Sequence, residues 1–199
     1  MTMSRFALAL AVVVAFAPLD ALAASIPQLE RVRVVEPPRE VGDFELTDRK
    51  GEPFRFSALR GRPVLVAFGF ASCPDVCPTV MSRLLLLAKV HAAEIRDTAI
   101  VLISVDGERD TPERMDDFLS IFSAEFIGLT GMPDVVRPVA DRFPAVFFKE
   151  SPDAAGHYNV AHSAQVYLLD RRGRVRAELL NAPIETMAEV VGIVAAESP

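Results

Sequence analysis

The chain has 199 residues, 51% of them hydrophobic, with a net charge of −6 and a pI near 5.1. The length suits one domain with a sizeable core. An acidic balance without a basic cluster excludes a nucleic-acid partner.

The amino terminus carries a positive charge at Arg5, continues through an apolar run from Phe6 to Pro18 and closes on Ala21-Leu22-Ala23. This is the order of a signal peptide over residues 1–23, cut after Ala23. The run is short for a bilayer span and is stopped by Pro18 and Asp20. The expectation is therefore an exported chain of the bacterial periplasm, reaching a membrane only through a partner or an uncleaved N-terminus. Residues 24–40 are polar and carry Pro27, Pro37 and Pro38, which reads as an extended lead-in; the folded domain is expected over 41–199.

Within that domain, Phe44–Leu46 and Pro53–Phe56 predict a hairpin at a sheet edge, turning through Asp48 to Gly51. Pro63–Phe70 (PVLVAFGF) is a continuous apolar run suited to a strand buried on both faces. A helix follows over Val76 to about Ile95, with Val80, Leu84, Leu87 and Ala88 at helical spacing. Ile100–Val105 is a second buried strand, and Thr111-Pro112-Glu113 opens a helix with a hydroxyl cap, a proline in the first turn and an acid at the positive end. A strand at Phe126–Leu129 and a helix at Pro133–Arg142 come next, then strands at Ala145–Phe148, Gln165–Leu169 and Val175–Leu179, and a closing helix at Ile184–Val194. This alternation predicts an α/β domain, a mainly parallel central sheet with helices on both faces and antiparallel strands towards its edge.

The two cysteines of the chain, Cys73 and Cys77, stand four apart where a strand gives way to a helix. Thiols at such a junction meet the positive end of the helix dipole, which favours thiolate, the form that binds metal or attacks a disulfide. A structural staple is disfavoured, because a bridge across so short a loop removes little entropy from the unfolded chain. Metal site and redox pair both stay open on spacing alone. In open α/β sheets reactive residues gather at the carboxyl ends of the strands. Cys73 and Cys77 follow one strand, Asp106 follows the next, and His162 lies just ahead of an antiparallel strand that enters the sheet at that same edge.

Four segments then occur in order: CPDVCP from Cys73, SVDGERDTPE from Ser104, FIGLTG from Phe126 and YNVAHSAQVYLLDRRGRV from Tyr158. Together they resemble the Sco (SenC) family, thioredoxin-fold copper chaperones for cytochrome c oxidase assembly, over about Val41 to Ile193. The resemblance implies a thioredoxin-like fold, a central mixed sheet flanked by helices with an N-terminal edge hairpin. It implies copper, as Cu(I) or Cu(II), on Cys73, Cys77 and His162. It also implies a copper-accepting oxidase subunit as partner, with a copper donor or thiol reductase acting before it. Beside the histidine the family usually has Asp and this chain has Ala161, so no role of that acid carries over. The chemistry agrees: two soft thiolates suit Cu(I), an added imidazole admits Cu(II), and three protein ligands leave room for one from a partner.

Other residues compete for these roles. Asp75 favours the helix start but its charge opposes thiolate next door, while Asp106 is a candidate for orienting the site through backbone hydrogen bonds. His157 is the rival to His162, His91 reads as a solvated helix residue, and Met81, Met115 and Met132 read as packing. A second class of function is a thiol-disulfide oxidoreductase cycling Cys73 and Cys77. Against it, typical thioredoxins space their cysteines by two residues and place a cis-proline where this chain has His162. A peroxidase would want an arginine immediately beside the thiols, and a Cys2His zinc enzyme a general base near them; the sequence offers neither there.

Overall fold

The computed structural model describes residue 26 and residues 29–197. The expected leader over 1–23 lies outside the described residues, as do 24, 25, 27 and 28 of the lead-in. In chain order the elements are β1 (Val32–Glu40), β2 (Glu45–Asp48), β3 (Pro53–Arg55), β4 (Val64–Gly69), α1 (Val76–Val90), β5 (Ala99–Ser104), α2 (Pro112–Ser120), β6 (Ile127–Thr130), α3 (Pro133–Arg142), β7 (Phe147–Lys149), β8 (Val160–His162), β9 (Val166–Leu169), β10 (Arg174–Leu179) and α4 (Ile184–Ala195).

Eight strands form one mixed sheet in the order β1-β10-β9-β4-β5-β6-β2-β3. The central β4, β5 and β6 run parallel, and β9 lies antiparallel against the other side of β4. Every residue of β4 is buried. Val64, Val66 and Phe68 enter the core beneath α3, while Leu65 and Ala67 enter the opposite core beneath α1, α2 and α4. A strand sandwiched in this way reads as continuous apolar sequence because both of its faces need apolar side chains. At roughly 1.5–3 kcal/mol for each large apolar side chain fully buried, β4 outweighs any single hydrogen bond around it. Its carboxyl end is the fixed point from which the thiol loop departs. The architecture is the thioredoxin-like α/β fold that the sequence predicts, with the β2–β3 hairpin at a sheet edge, but the sheet is mixed rather than mainly parallel: among the described residues two of its pairings are parallel and five antiparallel.

Four local expectations change. The lead-in is not outside the fold: β1 pairs antiparallel with β10, and Val32 and Val34 pack into the core under α1 and α4. Pro37 and Pro38 are accommodated because β1 is an edge strand whose register shifts between Val34 and Arg39. α1 stops at Val90 rather than near Ile95, and a turn buries Ile95 and draws His91 to half burial beside Glu94, Nδ1 to Oε1 3.8 Å. The strand expected at Ala145–Phe148 is β7, and it leaves the main sheet to pair with β8, a strand too short for sequence periodicity to show. Met81 and Met115 are core residues, but Met132 is 53% exposed at the cap of α3 and is not packing.

Candidate metal centre

Gly69 ends β4, and a side-chain carbon placed on it would stand 2.7 Å from Cys77 Sγ. Only glycine leaves the volume that the sulfur occupies. The chain then turns, with the Cys73 N–H donating to the Phe70 carbonyl at 3.2 Å. α1 starts at Val76, which puts Cys77 in its first turn, and the Cys77 N–H donates to Cys73 Sγ at 3.4 Å. One of the donors orphaned at the helix start is thus satisfied by the other thiol. Asp75 stands at the cap of α1 but its side chain makes no cap hydrogen bond; its carbonyl accepts from Thr79 Oγ1 at 3.0 Å.

The third group arrives from the other side of the sheet. His162 is the last residue of β8, opposite Phe147, and β9 begins after three intervening residues, antiparallel to β4. Its Nδ1 lies 3.0 Å from the Val160 carbonyl, which can only accept, so Nδ1 carries the hydrogen and Nε2 presents its lone pair. Nε2 stands 3.3 Å from Cys77 Sγ, and the imidazole packs edge-on against Phe70 at 5.4 Å between centroids. One ligand atom from each of Cys73, Cys77 and His162 lies within 4.8 Å of the others, the one cluster of this kind among the described residues. Donors at about 2.0–2.3 Å from an ion stand up to about 4.6 Å apart, so the trio can close on a metal with little movement. Two sulfurs and one imidazole nitrogen, nearly dry, fit a soft ion.

Electrostatics corrects one expectation. Burial pushes the Cys77 thiol far above the ordinary cysteine range, and nearby Cys73 and Asp110 push the same way. At this position desolvation outweighs the helix terminus, so Cys77 favours its protonated form and a soft cation must displace that proton.

The remaining candidates separate clearly. His157 is exposed on the loop between β7 and β8, with Nδ1 3.4 Å from Asp153, and it does not reach the thiols. Asp106 is buried and accepts from Arg109 Nε and, at 2.9 Å, from the Tyr158 hydroxyl, which fastens the β7–β8 loop rather than the sulfurs. Three side chains emerge that sequence reasoning missed. Asp110 Oδ2 accepts from Ala71 N–H at 2.9 Å and from Ser104 Oγ at 2.6 Å, tying the thiol loop to β5. Arg114 Nη2 donates to Ser72 Oγ at 2.7 Å, and the Arg109 guanidinium lies 5.6 Å from the Phe70 ring. No arginine adjoins the cysteines in sequence, yet the SVDGERDTPER stretch brings two to the loop that carries them. The one local signal was an acid directly ahead of a Thr-Pro cap, which in isolation looks solvated.

Among the described residues no helix is long and apolar enough to cross a membrane. Residues 33–195 match the family model described as SCO1/SenC. The chain is similar to an SCO2-like protein of Rickettsia prowazekii, 37% identical over 134 residues, covering 67% of this chain and 65% of that relative's length. It is similar to the structure of Bradyrhizobium japonicum ScoI with copper bound, at 35% identity and a TM-score of 0.67, covering 75% of this chain and 96% of that one. It is also similar to yeast Sco1 with copper bound, at 29% identity and a TM-score of 0.72, covering 81% and 92% of the two chains.

Proposed function

The chain belongs to the SCO1/SenC family, and from that premise we propose that it is an exported copper-binding protein of the bacterial envelope. It takes up copper on Cys73, Cys77 and His162 and passes it to a respiratory copper oxidase subunit during assembly. One observation carries this reading: two thiols and an imidazole, the latter 85 residues from Cys77, converge with their donor atoms within 4.8 Å. The copper-bound structures of similar proteins support the choice of metal. The donor set supports it independently, since thiolates hold Cu(I) and the imidazole extends the site to Cu(II). Three protein ligands at the edge of the sheet leave a coordination position for a group of the recipient, through which the ion can change hands.

The test is metal analysis of the reduced protein with its visible spectrum after Cu(II) addition. The expected result is about one copper per chain, with thiolate-to-copper absorption. Protein that takes up no copper under these conditions sinks the reading.

A thiol-disulfide oxidoreductase is the second reading, favoured by the closeness of the two sulfurs, one of which accepts the other residue's N–H at 3.4 Å. His162→Ala separates the two. It keeps the dithiol and removes the imidazole, so a reductase still restores full oxidase assembly in a deletion strain at low copper, whereas a carrier that needs the imidazole to hold or hand over its copper does not.

A further inference from the structure

The thiols and the imidazole are carried by different parts of the fold, and one side chain lies between those parts. The Arg109 guanidinium sits 3.8 Å from the centre of the Tyr158 ring and 5.6 Å from the Phe70 ring. Phe70 in turn packs against the His162 imidazole at 5.4 Å. The result is a continuous column of tyrosine, guanidinium, phenyl and imidazole. Phe70 also accepts the Cys73 N–H through its carbonyl, so the column touches both halves of the centre.

The hydrogen bonds of Arg109 point the same way. Nη1 donates to the Tyr158 carbonyl at 3.0 Å, two residues before Val160, whose own carbonyl sets the His162 tautomer. Nε donates to Asp106, which also accepts from the Tyr158 hydroxyl at 2.9 Å. Glu108 and Lys149 pair at 2.6 Å over the outer side of the same ring. The charge of Arg109 is matched by Asp106, so its influence on a metal comes through position rather than through field. Its Nη2 is buried without a hydrogen-bond partner. An unpaired buried donor is unfavourable, and here the flanking rings and Asp106 hold it in place.

We propose that Arg109 is a positioning residue: it locks the β7–β8 hairpin to Phe70 and so holds His162 in register with the two thiols, which sets how well the centre retains Cu(II). This rests on the copper reading given above. Cu(I), satisfied by two thiolates, depends on it little.

The experiment compares the purified wild-type chain with Arg109→Met, Arg109→Lys and Arg137→Met, each titrated with Cu(II) and with Cu(I) and followed by absorption and by electron paramagnetic resonance. Arg109→Met is expected to lose roughly 10- to 100-fold in Cu(II) affinity, as outer partners of ligating histidines do, with a spectrum shifted towards that of His162→Ala. Its Cu(I) affinity should stay within a few-fold of wild type. Arg109→Lys should recover only part of the loss, because an ammonium has neither the planar face nor the fork of donors. Arg137 grips the same hairpin from α3, 4.5 Å over the Phe147 ring, without touching the column, so Arg137→Met should change the Cu(II) spectrum less than Arg109→Met does, and an equal change in both overturns the proposal. A wild-type Cu(II) spectrum and affinity in Arg109→Met overturns the proposal, as does an equal loss for both oxidation states, which marks general loosening. If Arg109→Met does not fold, Tyr158→Leu removes one face of the column and should shift the Cu(II) spectrum in the same direction; an unshifted spectrum there overturns the proposal. Wild-type protein that binds no copper overturns the copper reading and this inference with it, whereas wild-type binding with an unresponsive Arg109→Met overturns the positioning role alone.

Discussion

The two halves of the centre are built differently. The thiol half grows from β4, a strand buried along its whole length, and its cysteines are 8% and 3% exposed. Gly69, Asp110 and Arg114 hold its loop from three directions. The imidazole half belongs to a separate two-stranded sheet, β7–β8, with Phe148 and Val146 exposed on its outer surface. It is anchored by Phe147 and Val160 in the core and by side-chain contacts to Arg109 and Arg137. A packed core responds to volume changes almost rigidly, whereas a short hairpin held by a few polar contacts opens at lower cost. On the proposed copper assignment, the ligands that both copper states would need sit on the rigid half, and the ligand that would distinguish the states sits on the adjustable one.

The largest effect should come from the rigid half. Cys73→Ser or Cys77→Ser should each remove most copper binding in either state, exceeding the roughly 10- to 100-fold cost of losing an outer partner; competition against a chelator of known affinity measures it. Retained Cu(I) binding in both single variants would move the thiols out of the site. His162→Ala tests the other half and should weaken Cu(II) by more than the roughly 10- to 100-fold that losing an outer partner costs, while sparing Cu(I). If His157→Ala instead abolishes the Cu(II) spectrum and His162→Ala leaves it intact, the ligand on the adjustable half has been misassigned.

Gly69→Ala asks whether the thiol half has any slack. The added carbon meets Cys77 Sγ, so a loss of about 1–3 kcal/mol in unfolding free energy is expected from overpacking, with copper of both oxidation states bound more weakly. Unchanged denaturant midpoint and unchanged affinity would show that the half is softer than its burial suggests. Asp110 should give the smallest effect. Burial chiefly raises its pKa above 3.8 in the folded protein, against the hydrogen bonds from Ser104 and Ala71. The folded state thus favours the protonated form, so this residue's contribution to stability is greatest at low pH and declines as pH climbs from about the unfolded value through the raised one. Asp110→Asn should abolish that decline, seen as a flatter dependence of unfolding free energy on pH above 4.

How far each half was legible in the sequence follows the same division. β4, β5 and the start of α2 were readable because they rest on local signals: an uninterrupted apolar run for a strand buried on both faces, and a Thr-Pro-Glu cap whose Thr111 Oγ1 accepts from Arg114 N–H at 3.3 Å. The cysteines and His162 could be placed at one sheet edge from strand order alone. The supports of the site could not. Asp110, Arg109 and Arg114 act through contacts to residues between 39 and 49 positions away, and nothing in their neighbourhood marks them. Gly69 matters for the sulfur above it rather than for a turn. β1 was hidden by its prolines, which ordinarily argue against a strand, and only its place at the edge of the sheet makes them tolerable.

The insertion of β9 beside β4 also bears on folding. Because His162 meets Cys77 across a sequence separation of 85, the full donor set exists only after that long loop has closed, whereas the two thiols are neighbours even in an unfolded chain. An ion held by all three groups binds the native state alone and stabilises it by mass action. An ion held by the dithiol alone also binds the unfolded chain and gives back part of that stabilisation. Cu(II) should therefore raise the melting temperature more for each factor of affinity than Cu(I), making the oxidation state of a bound ion a reporter of whether the polypeptide around it has finished folding.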